Sequence, residues 1–111
     1  MSIAKRDNQA PDDRDLYSGM IRLHILHHAV VEGPVFGLGM AEELARHGYR
    51  ISPGTLYPIL HGLRKRGYLQ SKQVRDGKSR RTMYTATRQG RKALMSAKAK
   101  VRELFLEVVG G

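Results

Sequence analysis

Apolar residues recur at steps of three and four along four stretches of the chain, which is the spacing of one face of an α-helix. These stretches predict helices over Leu16 to about Val31, about Gly37 to His47, Pro53 to about Arg66, and about Arg88 to Val109. A glycine, a proline or a hydroxyl residue stands near each internal boundary, where one helix is expected to end and the next to begin. The chain is therefore predicted to be mainly helical.

A different pattern follows the third helix. Two strand-like runs, Tyr68 to Arg75 and Arg80 to Ala86, flank the sequence Asp76-Gly77-Lys78-Ser79. Asp-Gly between two such runs is a strong signal for a β-hairpin. The predicted fold class is mainly α with a small β-hairpin, and the order helix, helix, helix, hairpin, helix is that of a winged helix-turn-helix with N- and C-terminal dimerisation helices.

The second and third helices each have one apolar side, and these sides are expected to face the core. The inward-facing residues predicted for them are Leu38, Ala41, Leu44, Ala45, Leu56, Ile59, Leu60 and Leu63. Ser52 offers a hydroxyl cap to the third helix and Thr87 offers one to the last.

The first and last helices carry more apolar surface than this chain can cover alone. With 111 residues the chain supports a single core, and its first helix is apolar on nearly all sides. The last helix has an apolar stripe with a spacing close to heptad. We therefore expect a homodimer that is paired through Leu16, Met20, Leu23, Leu94, Val101, Leu104, Phe105 and Val108. Residues 1–15 read as a flexible polar segment, and residues 16–109 read as one domain ending in the dimerisation helix at about 88–109.

All of the net charge of +10 lies in one part of the sequence. The segment from His61 to Lys92 contains eleven basic residues and one acidic residue, whereas the remainder is neutral. Such a segment suits a polyanion, because the release of counterions from phosphates supplies most of the non-specific affinity for nucleic acids. The alternative to a polyanion partner is that the basic segment is only a solvated face that keeps the protein soluble. An anionic membrane would favour a basic amphipathic helix with bulky apolar anchors, so no membrane partner is assigned.

The exposed side of the third helix and the basic hairpin supply candidate contacts to double-stranded DNA. In a winged helix-turn-helix the third helix enters the major groove, and the hairpin reaches the flanking backbone or the minor groove. The residues assigned to DNA binding are Ser52, Gly54, Thr55, Tyr57, His61, Arg64, Lys65, Lys78, Arg80 and Arg81. None of those on the helix is an Asn, Gln or Arg in an obvious base-reading position, so DNA shape is expected to contribute to recognition.

The sequence lacks the residues that several classes of enzyme and metalloprotein require. The chain has no cysteine, which excludes disulfides, thiol nucleophiles and cysteine-based metal sites. Glu42 and Glu43 are adjacent and diverge by about 100° around a helix, so they do not form a catalytic carboxylate pair. Phosphate-loop and hydrolase motifs are absent. We expect no enzyme activity and no cofactor and, without a signal or membrane segment in the sequence, a cytoplasmic protein.

Three histidines leave one alternative open. His24, His27 and His28 stand at i, i+3 and i+4, a spacing that can place imidazoles on one helix face to bind a transition metal. The three histidines alone form an incomplete set of ligands, so no metal ligand is assigned. A metal-responsive regulator acting through these histidines remains the alternative interpretation.

The sequence resembles the PadR-like family of transcriptional regulators, in particular its short single-domain members. The resemblance runs from about Leu16 to Val109 and is most specific over Gly48-Tyr49-Arg50-Ile51-Ser52-Pro53-Gly54-Thr55-Leu56-Tyr57-Pro58-Ile59-Leu60. Tyr84-Thr85-Ala86-Thr87-Arg88-Gln89-Gly90 matches the family's passage from the wing into the last helix. The resemblance implies a homodimeric repressor, which in some members is released from its operator by a small molecule.

One departure and one alternative accompany the resemblance. The family usually has an aromatic residue after the glycine that opens the second helix, whereas this chain has Gly37-Leu38. Any role of that ring is therefore absent or moved to Phe36. A protein-interaction module built on the winged-helix scaffold is the competing function class, because the same fold serves functions other than DNA binding. No residue is assigned to an effector.

Overall fold

Four helices and three short strands follow one another in the computed structural model, which describes residues 12–111. The elements are α1 (Asp12–Val31), β1 (Val35–Phe36), α2 (Gly37–Arg46), α3 (Pro53–Lys65), β2 (Leu69–Asp76), β3 (Ser79–Ala86) and α4 (Arg88–Val108). The predicted mainly helical fold with a small β-hairpin is confirmed, and the positions of the four helices agree with the sequence periodicity.

Helix α1 begins earlier than the sequence indicated. It starts at Asp12 rather than Leu16, so residues 12–15 of the predicted flexible segment are helical. The physical reason is that acidic residue types are favoured near the positive end of the helix dipole, and this stretch is rich in aspartate. The rest of that prediction, residues 1–11, lies outside the described residues.

The core lies where α1, α2 and α3 meet the sheet. Ile25, Leu44 and Leu60 are completely buried there, one from each helix. The remaining buried apolar residues are Ile21, Leu26, Ala29, Val35, Met40, Leu56, Leu63, Leu69 and Tyr84. The predicted buried face of α3 is confirmed for its three leucines, and Ile59 packs against the same core while staying partly exposed.

The inner face of α2 differs from the prediction. Met40 and Leu44, one turn apart, are its buried apolar side chains, whereas Leu38 is 68% exposed and Ala45 is also exposed. The prediction is confirmed for Leu44 and for Ala41, which packs against the core, and it was wrong for Leu38 and Ala45. The reason is that Leu38 and Met40 are both apolar, and a ten-residue helix contains too few turns to fix the direction of its apolar face.

The sheet has three antiparallel strands in the order β1-β3-β2 rather than the two strands of the predicted hairpin. Strand β1 contains only two residues and pairs Val35 with Tyr84 and Phe36 with Met83. Two residues give no alternation that a sequence could display, so this strand was missed. The hairpin loop itself consists of Gly77 and Lys78, and the φ of +66° at Gly77 suits the two-residue turn that Asp-Gly predicts.

Thr87 joins the end of α3 to the start of α4. Its hydroxyl accepts a hydrogen bond from the backbone N–H of Gly90 at 3.0 Å and donates one to the carbonyl of Gly67. The predicted cap is therefore confirmed, and it also fixes where α4 leaves the domain.

Candidate nucleic-acid interface

Helix α3 presents a mostly polar face opposite its buried leucines. Gly54, Tyr57, His61 and Lys65 are exposed on this helix, as the sequence predicted for its outer side. Thr55 and Arg64 are partly buried at its margins. The helix begins at Pro53, whose fixed φ suits the first helical position and whose missing N–H would have no intrahelical acceptor there.

Ser52 precedes α3 with an extended backbone but does not cap it through its side chain. Its Oγ donates a hydrogen bond to Oγ1 of Thr55 at 3.4 Å instead of accepting one from a backbone N–H. The expected hydroxyl cap is therefore wrong. Because Ser52 is exposed, its hydroxyl lies at the open N-terminal end of α3, beside Gly54.

Tyr57 is held in place by the first residue of α2. Its side chain is 47% exposed, and its ring lies against the backbone of Gly37. A Cβ at position 37 would come within 2.5 Å of the Tyr57 hydroxyl, so only glycine leaves room for this ring position. The tyrosine thus has one side on the protein and one side free, which is the arrangement that a positioned contact residue needs.

The C-terminal half of α3 carries a paired histidine and arginine. Nη2 of Arg64 lies 3.0 Å from Nδ1 of His61, one turn earlier on the helix. A guanidinium can only donate, so the imidazole nitrogen is the acceptor in this pair. The contact holds both side chains on the outer side of the helix next to Lys65.

The wing presents its arginines in two directions. Arg80 and Arg81 are consecutive on β3, so their side chains leave opposite faces of the hairpin. The guanidinium carbon of Arg81 lies 3.9 Å from the centre of the Phe36 ring, and its Nη1 lies 3.4 Å from Oδ2 of Asp76. Arg81 is therefore partly engaged within the chain.

Arg80 has a basic neighbour across the hairpin. The strand register places it directly opposite Arg75 on β2, and both side chains are exposed. Neither forms an ion pair with any side chain that the structure describes. The sequence analysis did not include Arg75 among the candidate contact residues. The Asp-Gly turn contained the signal for it, because a two-residue loop after Asp76 fixes which residues face each other. Lys78 stands exposed in the loop at the tip.

Comparison with known proteins gives one family. The model of the transcriptional regulator PadR-like family matches residues 25–96. The transcriptional regulator Rv3488 of Mycobacterium tuberculosis is 50% identical over 99 residues, which cover 88% of this chain and 91% of that protein. The chain belongs to the PadR-like family of transcriptional regulators.

Solved structures support the same assignment. A PadR family transcriptional regulator from Eggerthella lenta superimposes with a TM-score of 0.80 at 28% identity, over 98% of this chain and 95% of that one. A transcriptional regulator from Clostridium thermocellum superimposes with a TM-score of 0.66 at 29% identity, over 89% and 95% of the two chains. This PadR-like protein is thus a transcriptional regulator and not an enzyme. No helix within residues 12–111 combines the length and the apolar character that crossing a membrane requires.

The PadR-like regulator also exposes two apolar surfaces on the helices predicted for dimerisation. Leu16 and Met20 of α1 are exposed, and Leu23 is partly buried. On α4 the exposed apolar residues include Val101, Leu104, Phe105 and Val108, and every residue from 98 onward is exposed. Leu94 differs from these, because it is partly buried against the core of its own chain. The C-terminal half of α4 therefore has no cover among the residues that the structure describes.

A second polar cluster, which we call the α1–α2 cluster, comprises His24, His28, Glu43 and His47. Donor nitrogens of the three histidines lie within 4.8 Å of one another. His27 does not belong to this group and is exposed, so the structure brings together two of the three histidines that the sequence suggested. The sequence could not indicate Glu43 and His47, because they reach the cluster from another helix.

Two groups of the α1–α2 cluster, His24 and Glu43, have shifted pKa values. Burial, followed by the nearby His47 and His28 rings, lowers the pKa of His24 below its ordinary value. A hydrogen bond from Arg46 is the main reason that the pKa of the Glu43 carboxyl is lowered. The α1–α2 cluster thus combines one carboxylate with three imidazole rings.

Proposed function

We propose that this PadR-like regulator is a repressor that binds double-stranded DNA as a homodimer on a pseudo-palindromic operator. Helix α3 of each protomer enters a major groove, and the two half-sites lie about one helical turn, or roughly 34 Å, apart. The wing contacts the adjacent phosphate backbone. Occupation of the operator excludes RNA polymerase from the promoter.

The observation that carries the proposal is the arrangement of charge on the wing. Arg75 and Arg80 face each other across the hairpin, and neither has an acidic partner among the side chains that the structure describes. Like charges placed directly opposite destabilise a sheet unless a ligand of opposite charge lies between or beside them. A phosphate backbone supplies that charge, and it also suits the net +10 of the segment from His61 to Lys92.

The N-terminal end of α3 supports a close approach of DNA. Gly54 is exposed, and a Cβ built on it would meet only Oγ of Ser52, at an ordinary distance of 3.7 Å. The fold of the chain itself therefore does not need glycine at this position. A glycine there leaves the helix end bare, so that a phosphate or a base edge can come close to the backbone. Ser52 and Thr55, which are hydrogen-bonded to each other, supply hydroxyl groups at the same end of the helix.

The homodimer is supported by the uncovered apolar surfaces. Val101, Leu104 and Phe105 are each about half exposed or more, at intervals that place them on one side of α4. Apolar patches of this kind on a soluble protein mark association surfaces. A second copy of the chain, applied to α4 and to Leu16 and Met20 of α1, would cover them.

The decisive experiment is a titration of the protein into DNA from upstream of its own gene and into scrambled DNA of equal length. Both titrations are carried out at about 50 and 200 mM salt. The proposal expects tight binding to the upstream DNA that persists at the higher salt, and weaker, salt-sensitive binding to the scrambled DNA. Equal binding to both would reduce the function to non-specific DNA binding. Absence of binding even at low salt would favour the protein-interaction module.

Two sets of variants separate the wing from the helix. Arg80→Ala is expected to weaken binding to both DNAs and to lower the slope of log K against log salt by about one unit for each phosphate that the protein no longer neutralises. Arg102→Ala on α4 is the matched control, since it removes an exposed arginine outside the basic segment, and its slope should equal that of the wild type. Tyr57→Ala and Thr55→Ala are expected to weaken the operator complex more than the scrambled one.

The proposal includes release of the repressor from its operator by a small molecule, as the resemblance implies. No residue is assigned to this effector. Addition of candidate effectors to the preformed operator complex tests it. An effector would lower operator affinity without changing the salt slope of non-specific binding.

A further inference from the structure

We propose that the α1–α2 cluster is a binding site for a divalent transition-metal ion of the zinc class. His24 and His28 supply imidazole nitrogens from α1, and Glu43 and His47 supply a carboxylate oxygen and a third imidazole from α2 and the residue that follows it. The site does not depend on the proposed DNA binding, because none of these residues is assigned to the DNA interface.

The spacing along the two helices brings the donor groups together. His24 and His28 are four residues apart, and so are Glu43 and His47, so each pair lies on one face over a single turn. The two faces meet, since the rings of His24 and His47 stack with their centres 4.6 Å apart. Oε2 of Glu43 lies 3.3 Å from Nε2 of His28 and 3.0 Å from Nε2 of His47.

His28 provides the second, independent observation. It is only 7% exposed, and its Nε2 has no hydrogen-bond partner among residues 12–111, although the Glu43 oxygen lies near it outside hydrogen-bond geometry. Its other nitrogen, Nδ1, lies 3.0 Å from Oε2 of Glu32. A carboxylate on one imidazole nitrogen orients the ring and makes the other nitrogen a better ligand, which is the usual environment of a metal-binding histidine. The buried free nitrogen points into the α1–α2 cluster.

The donor set suits zinc better than magnesium or calcium. Three imidazole nitrogens and one carboxylate oxygen are ligands that tetrahedral Zn²⁺ accepts at about 2.0–2.2 Å. Tetrahedral donors at that distance stand about 3.4 Å apart, so small side-chain rotations suffice where the histidine nitrogens lie within 4.8 Å. Mg²⁺ and Ca²⁺ prefer sets composed of oxygen. His47, with a side chain that is 40% exposed, gives the ion a path from solvent.

Arg46 does not close the site. It forms an ion pair with Oε1 of Glu43, so the second oxygen of that carboxylate remains directed at His28 and His47. The carboxylate is thus held between a cation on one side and the imidazoles on the other. A bound ion would connect α1 directly to α2, the first helix of the helix-turn-helix.

The test uses the full chain without an affinity tag, because added histidines would bind the same ions. Competition against a chromophoric chelator measures the affinity for Zn²⁺, and thermal unfolding is followed with Zn²⁺ or Mg²⁺ added. We expect one Zn²⁺ per protomer and a rise in melting temperature with Zn²⁺ that Mg²⁺ does not reproduce, since a ligand that binds only the folded state stabilises it. Zn²⁺ binding no tighter than Mg²⁺ binding would overturn the proposal.

Variants assign the binding to these residues. His47→Ala and Glu43→Gln remove ligands that are not deeply buried, so both proteins should fold, and each is expected to weaken Zn²⁺ binding by at least about tenfold. His27→Ala is the matched control, because it removes an exposed histidine of the same helix that lies outside the cluster. Equal weakening in His27→Ala and His47→Ala would mean surface binding and would overturn the assignment. Operator titrations without metal are independent of this outcome.

Discussion

The contact between Tyr57 and Gly37 yields a prediction whose sign depends on the background. Gly37 opens α2, and a Cβ added there would lie 2.5 Å from the Tyr57 hydroxyl and 2.7 Å from two ring carbons. Ordinary contacts begin near 3.4 Å, so Gly37→Ala forces the ring or the helix to move by about 1 Å. Overpacking of this kind costs about 1–3 kcal/mol, with the lower end expected because the tyrosine is half exposed and can yield.

The same substitution should have no such cost once the ring is removed. A Tyr57→Ala background removes the three nearest neighbours of the added Cβ, all of which are atoms of the Tyr57 side chain, and alanine is the better helix former by at most about 1 kcal/mol. We therefore expect Gly37→Ala to destabilise the wild type and to be neutral or stabilising in Tyr57→Ala. Urea unfolding of the four proteins at one protomer concentration gives the coupling free energy, which we expect to exceed about 1 kcal/mol.

The refuting result is an equal free-energy change in both backgrounds. It would mean that Tyr57 does not rest on Gly37 in solution, and that the ring is free rather than positioned beside α3. Gly39→Ala serves as the control, since a Cβ there has no neighbour within 4 Å and should give the same change with or without Tyr57.

Three further predictions concern the domain and its assembly. Leu60→Ala removes a completely buried side chain of α3 and should lower the free energy of unfolding by about 2–5 kcal/mol in urea, whereas a decrease well below that range would contradict the tight packing of this helix. Thr87→Ala removes the cap of α4 and its hydrogen bond to the Gly67 carbonyl, and it should lower the free energy of unfolding by about 1–2 kcal/mol, measured by thermal unfolding. Ser96→Ala, at an exposed position of α4, is the control and should leave this free energy unchanged. Val101→Asp places a charge on the exposed face of α4, and light scattering should then show a monomer at concentrations where the wild type is a dimer. A dimer that persists in this variant would refute the proposed pairing.

Features with a local cause could be predicted from the sequence. The Asp-Gly loop, the Thr87 cap and the buried leucines of α3 each depend on residues within one turn or one hairpin, and the structure has them as expected. The outward placement of Tyr57 followed from the same periodicity. The DNA contacts built on these positions remain predictions, because position on a surface does not by itself define a ligand.

Features that depend on distant residues could not be predicted. Strand β1 forms because Val35 pairs with Tyr84, a residue 49 positions away in the sequence. Two residues are too few to show a pattern that predicts a strand. The α1–α2 cluster was only half visible, since the histidines of α1 form a local pattern whereas Glu43 and His47 reach them through the packing of two helices. The choice between His27 and His47 was therefore decided by tertiary structure.

The short strand β1 divides the wing into two mechanically different parts. It pairs with Met83 and Tyr84, so at the base of the hairpin β3 has a strand on each side, whereas the stretch beyond is a two-stranded ribbon. Isolated ribbons of two strands are marginally stable, so amide protons near Arg75 and Arg80 should exchange with solvent much faster than that of Tyr84. The Arg81 contact with Phe36 marks the boundary between the two parts. The charged side chains of the wing thus lie on a flexible ribbon whose base is held by β1. The ribbon can follow the local curvature of a polyanion while the helices do not move.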